Sequence, residues 1–253
     1  MSAPTARGDV KVSGAGTIPT GAYRTVSVSG SATLAGDIDC TDFRVSGAAE
    51  GDGALRAQNV TVHGTLGYRG DADIGQLRVS GTASFGALKA QDANVSGTLA
   101  ATDLSAGTVR VQGLLSVSGD CEAERFEAQG AFTVDGLLNA GAVDVTLGGK
   151  CRAGEIGGET VAVRIGVGAL KRFMTSLVPG WELRLTAGSI EGDDVRLEHT
   201  TARAVRGNTV VIGPGCEIDL VEYTGEYSAA PDATVKTVRK VGEGESDGGD
   251  AGA

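Results

Sequence analysis

Large rings and kinks are scarce in this chain. Among 253 residues there are five phenylalanines, four tyrosines, one tryptophan and five prolines. So little ring volume excludes a thick core built around large side chains. No stretch approaches the ~18–20 consecutive apolar residues of a membrane-spanning helix. The first ten residues, MSAPTARGDV, lack the apolar segment of a secretory signal, so a cytoplasmic location is expected. Lysine is rare too: six of the 22 basic residues are lysine, against 32 acidic ones, for a net charge of −10. No basic stripe is present to hold phosphates, so nucleic acid is not an expected partner. The Arg-rich, acidic balance fits either a surface adapted to high salt (a halophilic protein) or an acidic protein from a GC-rich genome. Hydrophobic residues still make up 41% of the chain, enough for a packed interior, which excludes a wholly disordered chain.

Glycine is abundant, at 41 residues, and it recurs on a period. The motif VxVSG appears as Val10–Gly14, Val26–Gly30, Phe43–Gly47, Val60–Gly64, Leu77–Gly81 and Ala93–Gly97. Degenerate copies follow at Val109–Gly113 and Phe126–Gly130. The closing glycines lie 16, 17, 17, 17, 16, 16 and 17 residues apart along the chain. Each unit holds three short apolar pieces. The first is VxV, whose two apolar side chains share one face of a strand. The second follows the glycine and carries Leu34, Leu66, Phe85, Leu99 or Phe132. The third reads apolar-x-small, as in Ile38-Asp39-Cys40, Leu104-Ser105-Ala106 and Leu138-Asn139-Ala140.

Three short strands joined by glycine corners make one turn of a solenoid. The expected fold is all-β: a right-handed triangular β-helix of 16–17 residues per coil, with three short parallel strands in each. The corner glycines are expected to supply positive φ angles. Such a narrow prism holds aliphatic side chains and few rings. Val143-Asp144-Val145 and Val161-Ala162-Val163 keep the register, and Val195-Arg196-Leu197 has the first-strand form again. Val163 and Leu197 are 34 residues apart, which reads as two coils. About thirteen coils follow, a rod of roughly 60 Å at the strand spacing. The organisation read from the chain is therefore a short flexible N-terminus (1–9), β-helix (10–167), a non-β insertion (168–182), further coils (183–241) and a disordered acidic tail (242–253).

The VxVSG units resemble the bactofilin family of polymer-forming cytoskeletal proteins. The later segment Ile190–Thr200, with Val205-Arg206-Gly207 and Val211–Asp219, resembles an extended archaeal subgroup that includes the halofilins. The resemblance implies a right-handed triangular β-helix that assembles end to end into filaments without nucleotide, like ends meeting like ends. Many bacterial members carry a short apolar or basic membrane-targeting N-terminus. Met1–Asp9 is neither.

Residues that could carry chemistry are few. Cys40, Cys121, Cys151 and Cys216 form no CxxC pair and read as buried small hydrophobes, Cys40 in the small inward slot and Cys121 and Cys151 in the apolar-x-small arrangement. His63 replaces the serine of VxVSG and His199 follows VRLE; neither has zinc-ligand spacing. No GxxxxGK[ST] loop is present. Ile212–Ile218 matches one hexad of a hexapeptide-repeat acyltransferase, a weaker alternative because that fold needs an 18-residue turn. The aspartates are scattered, unlike the calcium clusters of pectate lyases. The chain is thus read as non-enzymatic, with no cofactor, no metal and no small-molecule substrate.

A solenoid exposes strand edges and core cross-section at both ends unless something covers them. The first coil opens with Val10, Val12 and Ile18, and the last closes with Val235, Val238 and Val241, with no cap evident in the sequence. These six residues are the expected polymer contacts, the partner being a second copy of the chain. Screening of the acidic surface by salt is expected to ease assembly.

The segment GALKRFMTSLVPGW breaks the β pattern. Leu170, Phe173, Met174 and Leu177 follow helical spacing, beside the basic pair Lys171 and Arg172, with Trp181 at the end. Two readings stand: a helical loop packed on the rod, or a contact patch for a membrane or a partner protein, the rod then serving as a non-polymerising scaffold. If the segment binds bilayers, anionic vesicles will shift the fluorescence of Trp181. An unchanged spectrum removes the membrane reading.

Overall fold

Apolar and polar residues alternating between regularly spaced glycines can bury their apolar side as extended strand against the segment one period away. The computed structural model describes residues 8–166 and 183–242. Their chain forms seventeen strands, β1 (Gly8–Val12) to β17 (Thr234–Lys240), joined in parallel in one sheet. The sheet winds as a solenoid of about 13 turns at about 17 residues per turn, with no helix among the described residues.

The interior is a set of stacked rows. Val10 and Val12 of β1 pair with Val26 and Val28, which pair with Phe43 and Val45, then Val60 and Val62, then Leu77 and Val79. From Val26 onward these side chains are fully buried. Each such Val or Leu contributes about 1.5–3 kcal/mol relative to an exposed one. A ring fits inside where a neighbouring coil yields space: Tyr68 pairs with Gly51, where any Cβ would strike the Tyr68 ring. The Tyr68 hydroxyl is buried without a hydrogen-bond partner among the described residues, and desolvation pushes its pKa up to about 12.

Three sequence expectations are corrected. The 34 residues from Val163 to Leu197 are one coil and not two. Val161 and Val163 of β13 (Cys151–Ile165) pair directly with Val195 and Leu197 of β14 (Leu185–Leu197). The segment between is therefore an insertion at one corner, and the coils on either side of it form one unbroken ladder. Secondly, strand structure begins at Gly8, inside the N-terminus expected to be flexible, because Asp9 pairs with Thr25 and forms an ion pair with Arg24.

The third correction concerns the corner glycines. Among the described residues only Gly36 and Gly215 are glycines with positive φ, at 92° and 67°. The VxVSG glycines are required for close approach instead. A Cβ on Gly30, Gly47, Gly64, Gly81, Gly97, Gly113 or Gly130 would fall inside the carbonyl oxygen of the ladder glycine one coil earlier. The hydrogen bonds explain the crowding. At the corners of Gly30, Gly47, Gly64, Gly81, Gly97 and Gly113 two successive N–H groups donate to one valine carbonyl of the preceding coil, as Ser80 N and Gly81 N do to Val62 O at 2.9 and 3.1 Å. The next residue then donates to the glycine carbonyl, Thr82 N to Gly64 O at 2.9 Å.

The first rung supplies an internal control, since a Cβ on Gly14 meets nothing within 4 Å. Gly81→Ala should destabilise the rod by about 1–3 kcal/mol through overpacking, whereas Gly14→Ala should leave stability unchanged. Urea unfolding of the two variants checks this, and equal midpoints would refute the close-approach account.

Candidate functional site

The two ends of the rod are where the repeat stops satisfying itself. At the N-terminal end, Val10 and Val12 are half-buried: the next coil packs on one side of them, and no described residue packs on the other. Tyr23 closes much of this cross-section. It occupies the row filled by Cys40 and Ala57 in the following coils, and its hydroxyl donates to Pro19 O at 2.7 Å. Gly21 makes room for the ring, because a Cβ there would stand 3.3 Å from the Tyr23 hydroxyl oxygen. Ile18 was expected among the polymer contacts, but it is fully buried. The expectation is corrected: Ile18 belongs to the core.

At the C-terminal end β17 covers only part of the last full coil. Val235 pairs with buried Ile218 and is half-buried, while Val238 pairs with fully buried Val221 yet is itself 43% exposed. Val241 is 42% exposed. Tyr223 and Tyr227 stack with ring centroids 5.4 Å apart at 27°, and Lys240 Nζ lies 5.8 Å from the Tyr223 ring centre. Charges ring this end. Glu222 bridges Arg206 at 2.9 Å and Arg239 at 3.1 Å, and Asp219 holds Lys236 at 2.7 Å. The hydrogen bond to Asp219 raises the Lys236 pKa, and burial raises that of Tyr227.

Tyrosines thus sit one place in from both ends of one inward row. Gly8 pairs with Tyr23, the row runs through small side chains such as Ala90, Ala106 and Ala123, passes Gly158, Gly192 and Gly207, and reaches Tyr223, which pairs with Lys240. Ile74 is the exception among these. Sequence reasoning found the row but missed its aromatic ends. The signal was present as tyrosine in slots that elsewhere hold alanine or glycine.

The remaining candidates do not come together. All four cysteines are buried and none forms a disulfide. Cys40 and Cys121 fill the expected slots, Cys121 between Leu104 and Leu138. Cys151 is corrected: it pairs with Phe132 and Leu185 on the second side of the coil, not the third. His63 Nδ1 lies 2.7 Å from Ser80 Oγ on the surface. His199 takes a positive φ of 45° in a corner, its N–H donating to Pro214 O. No group of three or more His, Cys, Asp or Glu among the described residues could hold a metal ion. An open trough of about 1020 Å³ is lined in part by Gly157, Gly158, Gly192 and Gly207. Leu170, Lys171, Arg172, Phe173, Met174, Leu177 and Trp181 lie outside the described residues. The flanks of that insertion are placed, Gly166 after β13 and Leu183 packed on the core.

The chain is 44% identical over 111 residues to the uncharacterized protein YhbE of Bacillus subtilis (strain 168), covering 43% of this chain and 44% of that protein. It is 36% identical over 107 residues to the uncharacterized protein YhbF of the same organism, 42% of each chain. The matched stretch spans under half the length of these curated relatives. No family model matches the chain, and no solved structure matches it significantly.

Burial sets the chemistry of the thiols. Desolvation pushes Cys121 up to about 12 and Cys151 up to about 11, and raises Cys216 as well. These three thiols should ignore a thiol reagent at pH 8 until the rod unfolds. The folded state favours the protonated thiol, so its contribution is full below the ordinary thiol value near 9.0 and is lost as pH rises toward 12. Urea midpoints measured from pH 8 to 11 should therefore fall steadily once the unfolded thiols ionise.

Proposed function

We propose that the protein is a structural subunit that polymerises end to end, without nucleotide, into cytoplasmic filaments of the bactofilin kind that support cell shape or organisation. The observation that carries this reading is the mismatch between end and interior. Val26, Val28 and Val221 are fully buried because a coil lies on each side, while their row partners Val10, Val12 and Val238 have a coil on one side only among the described residues. A second copy laid against either end buries those valines and pairs the open edges of the terminal strands. The N-terminal contact is then Val10 and Val12 beside the Tyr23 ring, and the C-terminal one is Val235, Val238 and Val241 beside the stacked tyrosines. Partial closure by tyrosine suits such a joint, since a ring with a bonded hydroxyl covers the core of the free subunit and still offers a flat apolar surface.

The insertion between Gly166 and Leu183 supports a second reading, because it adds no coil to the rod. In that reading the segment docks a membrane or a partner protein and the rod is its scaffold. Electron microscopy of the purified protein separates the two, filaments favouring the first and uniform short rods the second.

Single-end blocks test the joint itself. Gly14→Val places a side chain into space that is open in the subunit but filled in a stack, and Val238→Arg charges the other end. Both should keep the melting temperature and abolish filaments. Like-end joining leaves dimers on sedimentation, because the unblocked end still pairs; unlike-end joining leaves monomers. Filaments persisting in both variants would overturn the end-to-end reading.

A further inference from the structure

The outer surface of the rod is not uniform. The first side displays Arg44, Arg78, Arg110, Glu127 and Asp144, and the third displays Asp39, Arg56, Asp73, Lys89 and Glu122. The second side is different. Its outward positions from residue 15 to residue 133, two in each of eight coils, include a single charge, Glu50. Thr65, Thr82, Thr98 and Leu114 pair in series along one row, with Ser84 and Ser116 in the next. Leu114 stands 44% exposed in this nearly uncharged sheet face, and Gly67 and Ala100 are small members of the second row, on either side of Ser84. Charged corners such as Arg69 and Asp135 rim it.

We propose that this face is the lateral contact between filaments, packing against the same face of a second copy of the chain in a neighbouring filament. The inference rests on the end-to-end reading and adds a second, independent surface to it. Charge selects the occupant. Each chain carries a net −10, so side-by-side approach of like rods is opposed by repulsion overall, and this side is the one along which they meet with almost no charged side chains in the contact. Flatness favours it too, since parallel sheets with small side chains stack face to face at ~10 Å or less.

Area decides when the contact forms. Eight coils at ~4.8 Å by two outward positions at ~7 Å give on the order of 500 Å² per chain. A stable two-protein interface buries about 800 Å² per partner. Single rods therefore fall short and stay apart. Within a filament each added subunit contributes the same patch without a fresh loss of rotational and translational freedom, so pairing becomes favourable only after polymerisation. The contact couples thickness to length: short polymers stay single and long ones bundle.

The test is the double variant Thr82→Glu, Ser116→Glu, both exposed, outward positions that need no core rearrangement. Ser105→Glu on the third side is the charge control. Filaments of full-length wild-type protein should bundle and pellet at low speed, as should the control. The double variant should form single filaments of normal length, seen by negative stain, and lose low-speed pelleting. Bundling of the double variant like wild type, or wild-type filaments that stay single at every salt concentration, would overturn the lateral face alone. Absence of filaments in wild type would overturn both the end-to-end reading and this one.

Discussion

The spacing between coils is set at the corners, where two backbone N–H groups share a valine carbonyl and a glycine lies against the glycine below it. This contact is closer than any side chain permits. It fixes where each VxV strand must start, and so it forces Val26, Val28 and their successors into straight rows. The hydrophobic interior follows from the corner, since valine is buried at those positions only while consecutive coils stay in register. A second corner works similarly with side chains: the Asp120 carboxylate accepts from Leu137 N at 2.8 Å, and Gly136 is the residue that leaves room for that carboxylate.

Much of this was legible in the sequence because the signals repeat. The period, the three apolar pieces and the inward rows could be read directly from VxVSG and apolar-x-small, and the pairings of Cys40, Cys121 and Leu138 match that reading. What repetition does not encode was missed. The glycines were assigned to backbone angle, but a motif cannot distinguish an unusual φ from a lack of room, and only the stacked neighbour reveals the second. The Val163-to-Leu197 spacing equals two periods, so an insertion of one period's length imitated an extra coil. At the candidate site, Val10, Val12, Val235, Val238 and Val241 were identifiable as terminal members of their rows. Ile18 was misplaced because its place in the first coil did not reveal that it is fully buried.

The ends also show how a solenoid manages an exposed core without a separate capping element among its described residues. Tyrosine does it with one side chain. At Tyr23 the ring reaches from the third side back to Pro19, and at the other end Tyr223 and Tyr227 cover each other beneath Lys240. Both arrangements use an aromatic body for the apolar cross-section and a polar group at its margin. They leave valine partly uncovered, as Val10, Val12 and Val238 show. The second side, from residue 15 to residue 133, holds Glu50 as its one outward charge and otherwise small and hydroxyl-bearing residues that water tolerates.

Because the small inward row carries tyrosines only near its extremities, nothing in the chemistry of the ends refers to how many coils lie between them. Gain or loss of one whole unit, as unequal recombination within a repetitive gene would produce, moves the ends apart or together by a single strand spacing and leaves both end surfaces unchanged. The insertion at the Gly166 corner makes the complementary point, since new sequence there alters neither pitch nor length. Such a molecule can be re-measured over evolutionary time, its length changed while its two ends are kept.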